Sequence, residues 1–155
     1  MLLTAVFLGG CGHTDEYEPK EVLVDLAAED IVSVSYRNNH MDRFYAFRFS
    51  LEEKDGSWIY SGSYGNLDTD EIVEIEEVEV PVEKMEELRK IIEDEDLIAQ
   101  VPSYDGIVED KGEQDRTVYT LSLRFKDKTE LKAENVGKIS ESLYEAFRAI
   151  GEEIK

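Results

Sequence analysis

Asn66-Leu-Asp68-Thr-Asp70 sets a side-chain oxygen at every second position, and Glu77 occupies the twelfth place of the same frame. Alternating oxygens closed by a distant acid are what a calcium loop uses, because the ion takes six to eight oxygen ligands. The sixth place, where such a loop needs glycine for its sharp turn, holds Glu71, and the flanking segments read as strands rather than helices. The segment is therefore either a weak calcium site suited to a millimolar extracellular medium or an acidic loop whose side chains face water.

Aromatic side chains are the second candidates. Trp58, Tyr60 and Tyr64 alternate with smaller residues and share one face of a strand. Exposed, they would make a stacking platform for a sugar or peptide; facing the phenylalanines of the preceding strand, they would be core, and the pairing register favours core. Tyr104, in a long polar segment, is a separate candidate for a ligand contact. Nucleophilic catalysis is poorly provided for. A serine or cysteine nucleophile needs a base within reach, and the two histidines are His13, in a polar lead-in, and His40, in a turn beside Asn38 and Asn39. A carboxylate pair could hydrolyse a glycoside, but among 37 acids close pairs arise by abundance alone.

Positioning these residues falls to elements that the apolar periodicity outlines. Ile31 to Arg37 alternates Val32, Val34 and Tyr36 with Ser33 and Ser35, a half-buried strand. Arg43 to Glu53 reads as a long strand with Tyr45, Phe47, Phe49 and Leu51 on one face. Asp55-Gly56 marks a two-residue type I′ hairpin, favoured over a three-residue turn with a bulge at Gly56, and it pairs Lys54 with Ser57, Leu51 with Tyr60, Phe49 with Gly62 and Phe47 with Tyr64. A one-residue slip would carry Trp58 and Tyr60 to the face away from the phenylalanines. Glu71 to Val82 returns as a strand whose phase changes between Glu76 and Glu77, the mark of a bulge. Beyond Pro81, Met85, Leu88, Ile91 and Ile92 line one stripe of a helix over Glu83 to Glu93. Leu97, Ile98 and Val101 make one more turn, and Ser103 to Asp115 is a long loop. Arg116 to Phe125 and Thr129 to Ala133 form a second hairpin around Lys126-Asp-Lys128, pairing Leu123 with Leu131 and Leu121 with Ala133. A last helix spans Lys138 to Ile154. Alternating strands and two grouped helices predict an α+β fold, an antiparallel sheet with both helices on one face.

The charge is extreme. The 155 residues carry 37 acids against 17 bases, a net −20. Nucleic acids and anionic lipid surfaces are poor partners for such a chain, since binding them depends on Lys and Arg displacing counterions. Divalent cations and basic proteins are the partners its field attracts.

The only cysteine, Cys11, follows the short apolar run from Leu2 and the small residues Gly9 and Gly10. That run is too short for a membrane-spanning helix, which needs about 20 apolar residues, but it fits the apolar region of a secretion signal. Leu8-Gly9-Gly10-Cys11 resembles the bacterial lipobox. The resemblance implies cleavage before Cys11 and a diacylglycerol thioether on its sulfur, the one cofactor-like group expected besides the open alternative of calcium. No basic residue precedes the run, so the signal is expected to be truncated at its start. A buried N-terminal strand with a free thiol is the competing reading. Residues 1–10 are thus expected to be a signal peptide, 11–21 a lipid-bearing tether and 22–155 a single domain.

Three further stretches are similar to small uncharacterised lipoproteins of Gram-positive gut bacteria. They are Val32 to Tyr36 followed by Asn39-His40-Met41, the hairpin Asp55-Gly-Ser-Trp58, and Thr117 to Leu131. That family implies no catalytic residue. The expected function is a non-catalytic binding or structural module, anchored to the extracytoplasmic face of the membrane, meeting an envelope component or a protein. A calcium- or ligand-binding domain comes second and a carboxylate-based hydrolase third.

Overall fold

A computed structural model describes residues 26–101 and 117–155. The expected signal peptide, Cys11, the tether, Tyr104 and the loop from Ser103 to Asp115 lie outside them.

Six strands form one antiparallel sheet: β1 (Ile31–Asn38), β2 (Arg48–Lys54), β3 (Ser57–Asn66), β4 (Glu71–Val80), β5 (Tyr119–Phe125) and β6 (Glu130–Asn135). Their order is β4-β3-β2-β1-β5-β6. Among the described residues three α-helices, α1 (Val82–Asp94), the single turn α2 (Leu97–Gln100) and α3 (Glu141–Ile154), and a 3-10 turn at Ala28–Asp30 complete the α+β fold.

Both hairpin registers agree with the expected ones. Leu51 faces Tyr60 and Phe49 faces Gly62, while Leu123 faces Leu131 and Leu121 faces Ala133. Asp55 and Gly56 both adopt positive φ, 52° and 84°, as a type I′ turn requires. The bulge in β4 is also present. Pairing with β3 shifts between Tyr60 and Gly62, and the extra residue, Glu77, has φ 48°.

Three expectations need correction. The strand expected from Arg43 starts only at Arg48. Asp42 turns the chain instead: its carboxylate accepts from the Phe44 N–H at 2.9 Å, and its carbonyl accepts from the Tyr45 and Ala46 N–H groups. Tyr45 is therefore 59% exposed, not on the core face. At the other end, α3 begins at Glu141 because Ser140 caps it, its hydroxyl accepting from the Leu143 N–H. In β1, an irregularity against β5 between Ile31 and Ser33 breaks strict alternation. Ile31 and Val34 are fully buried, while Val32 is only half-buried.

The core lies between one sheet face and the helices. Phe49 stacks on Phe147 of α3 with centroids 5.3 Å apart and planes 3° apart, and Met85, Leu88 and Ile92 of α1 are fully buried. Each such side chain contributes roughly 1.5–3 kcal/mol on burial. The Tyr60 hydroxyl donates to the Phe147 carbonyl at 2.9 Å, so a polar tip inside the core is satisfied. Lys84 of α1 and Glu153 of α3 pair at 2.6 Å across the outer helix surface.

Candidate functional site

Trp58, Tyr60 and Tyr64 fall on the core side. Tyr60 and Tyr64 are fully buried, and the Tyr64 hydroxyl donates to Glu152 at 3.0 Å. Burial pushes both phenols above the ordinary value of 10.0, and for Tyr64 the bond to Glu152 adds to the rise. Trp58 is half-buried, packed on the core edge, with the Arg89 guanidinium 5.2 Å from its ring centroid. None of the three offers a free stacking face.

The acidic segment is divided. Asn66 is 4% exposed; its side chain accepts from the Asp68 N–H and donates to Glu152. Asp68 and Asp70 are exposed in the turn that follows. Glu77 sits in the bulge, seven residues beyond Asp70, and bonds Lys54 at 2.8 Å. At about 3.3 Å per strand residue it lies on the order of 20 Å from the turn. The proposed ligands are thus not brought together, and no group of three or more His, Cys, Asp or Glu able to hold a metal occurs among the described residues. His40 is a turn residue: its Nδ1 accepts from the Asp42 N–H at 3.1 Å, and its ring meets Tyr45 edge-on.

The feature that sequence inspection missed lies on the other side of the sheet. Alternation turns Ser35, Ser50, Ser61 and Ser122 away from the core, and the register sets them in one line. Ser122 faces Ser35, Ser35 faces Ser50, and Ser50 faces Ser61. With strands about 4.8 Å apart, this row of hydroxyls crosses roughly 14 Å of sheet. In the neighbouring row Arg37 faces Arg48, Arg48 faces Ser63, and Ser63 faces Glu74. The short serines between longer charged side chains leave an open depression of about 500 Å³, lined by Ser35, Arg48, Ser50, Ser61 and Ser63 with Glu76 at its β4 side.

Local chemistry bounds this depression. At the bulge the Ser61 hydroxyl accepts from the Glu77 N–H at 3.1 Å, so its own proton is free to point outward. Lys54 holds the Glu77 carboxyl below its usual range, and Glu77 and Glu52 raise Lys54 in return. Beyond one end, the chain before β2 folds against Gly65. A Cβ there would run into the Phe44 carbonyl, so glycine is what lets that loop approach the sheet. Arg43 reaches Glu74 at 3.4 Å from the same loop. Arg37 and Arg48 stand opposite one another, and neither has a carboxylate within ion-pair distance among the described residues. Like charges directly opposed across strands are unfavourable, which is notable in a chain of net charge −20.

No family model matches the chain, and neither a curated protein nor a solved structure matches it.

Proposed function

We propose that this chain is a non-catalytic binding module of the extracytoplasmic membrane face, tethered through diacylglycerol on Cys11, whose working surface is the open face of the sheet. One observation carries the reading. Two helices fill one sheet face, while the other is recessed along a row of serines beside Arg37 and Arg48, opposed arginines with no carboxylate partner among the described residues. Strand positions selected for sheet stability would favour β-branched or aromatic residues; serines leave room for an occupant. No serine hydroxyl is bonded to a histidine among the described residues, which favours binding over nucleophilic chemistry. An envelope component or a protein partner is the expected occupant class.

A photo-crosslinking side chain placed at Ser50, and separately at Glu145 on the exposed surface of α3, tests the reading in intact cells. Adducts from position 50 alone are expected. Equal labelling from both positions, or none from position 50, would remove the open face as the working surface. Fractionation of cells carrying Cys11→Ser tests the anchor, with release from membranes expected.

A further inference from the structure

The open face joins two charges of opposite sign across a neutral hydroxyl floor. Arg37 and Arg48 stand on β1 and β2; Glu74 and Glu76 stand on β4. Arg48, Ser63 and Glu74 are successive partners in one row, so two strand spacings, about 10 Å, separate the cationic and anionic positions. Other nearby charges are engaged: Lys54 with Glu52 and Glu77, Arg124 with Glu52, and Glu74 itself with Arg43 at 3.4 Å, which leaves Glu76 as the open acid of the β4 edge. Arg37, Arg48 and Glu76 carry no such bond among the described residues.

Resting on the binding-module reading, we propose that this depression takes a short zwitterionic peptide, its carboxylate at Arg48, with Arg37 opposite Arg48 just beyond the lining, and its ammonium at the Glu74–Glu76 edge. Charge complementarity selects this occupant on both sides. A polyanion would meet the β4 glutamates and the net −20 of the whole chain, and repulsion of that kind is felt over about a Debye length. A polycation would meet the opposed arginines. A molecule with one charge of each sign satisfies both edges. Guanidinium forks suit a carboxylate because two parallel N–H groups match its two oxygens. Each extended residue spans at most about 3.3–3.6 Å, so a tripeptide reaches from one edge to the other. Serine hydroxyls both donate and accept, which matches the amide groups between the termini. The one aromatic residue at its lining, Phe49, is fully buried with its ring in the core, so the floor presents no ring on which a sugar could stack.

Calorimetric titration of the full-length chain in detergent with trialanine tests this. Saturable binding is expected, weakened about tenfold or more by Arg48→Gln or Arg37→Gln and by C-terminal amidation of the peptide. Glu76→Gln and N-terminal acetylation should each weaken binding several-fold, and added salt should weaken it further. The substituted side chains are exposed, so unchanged melting temperatures are expected to confirm folding. Absence of binding at millimolar trialanine, or equal binding of amidated and free peptide, would overturn the proposal. So would an Arg48→Gln chain that binds as the parent does. If position 50 still crosslinks a macromolecule while trialanine does not bind, the peptide inference fails and the module reading stands. If position 50 labels nothing, the module reading fails on its own terms.

Discussion

Gly151 of α3 lies directly against the hydroxyl of Tyr60. A Cβ at that position would sit 2.9 Å from the Tyr60 oxygen and 2.8 Å from that of Tyr64. Glycine normally weakens a helix interior by about 1 kcal/mol relative to alanine; here it is the space through which two tyrosines reach the helix backbone and Glu152. Gly151→Ala is therefore expected to lower stability by roughly 1–3 kcal/mol despite its gain in helix propensity. Urea unfolding followed by circular dichroism measures this, and a stabilised variant would contradict the packing.

The same tyrosines make the fold sensitive to alkali. Burial raises Tyr36, Tyr60, Tyr64 and Tyr144 above 10.0. A phenol whose folded value exceeds its unfolded one binds more protons when folded. Its contribution is complete below pH 10 and is lost as pH rises above that value toward the folded one. The melting temperature should fall steadily above pH 10, and tyrosinate absorbance should appear together with unfolding rather than before it for these four.

Ser140 is a third test. Its hydroxyl accepts from the Leu143 N–H at 3.1 Å and donates to Glu95 beyond α1, so one side chain starts α3 and joins it to the first helical segment. Ser140→Ala should cost about 0.5–2 kcal/mol from the lost cap. Ser140→Asp should restore the cap but set its charge against Glu95, recovering only part of the loss. Thermal melts of the two variants side by side give the comparison.

A fourth concerns the turn between β2 and β3. Gly56 has φ 84° and no atom near its Cβ direction, so strain rather than collision decides the effect of a side chain there. Gly56→Ala should destabilise by about 1 kcal/mol, while Gly56→Asn, which tolerates the left-handed region better, should lose less. Equal losses would show that the turn rearranges.

Local order was legible in the residues because it depends on near neighbours. Asp55-Gly56 sets the turn, the turn sets the register, and the register places Leu51 against Tyr60. The same reasoning sends the tyrosines into the core and puts a bulge at Glu77. Tyr45 escaped it, since alternation continues through the residue while Asp42 has already bent the backbone by a side-chain bond that periodicity does not register. Glu77 likewise shares a spacing with Asn66, Asp68 and Asp70 in sequence and a different place in space, because a strand carries it away from the turn and Lys54 holds it there.

The candidate site divides the same way. One of its contacts, Ser50 opposite Ser61, follows from the hairpin turn alone. Ser35 and Ser122 join that line only because β5 returns to pair with β1 after α1 and α2 have intervened. Strand composition and turn chemistry act over a few residues, so the chain by itself determined its elements, its hairpins and which face of each strand is apolar. Which strand lies beside which, and hence that four serines and two arginines meet on one face, is a matter of long-range pairing, and only the folded sheet decided it.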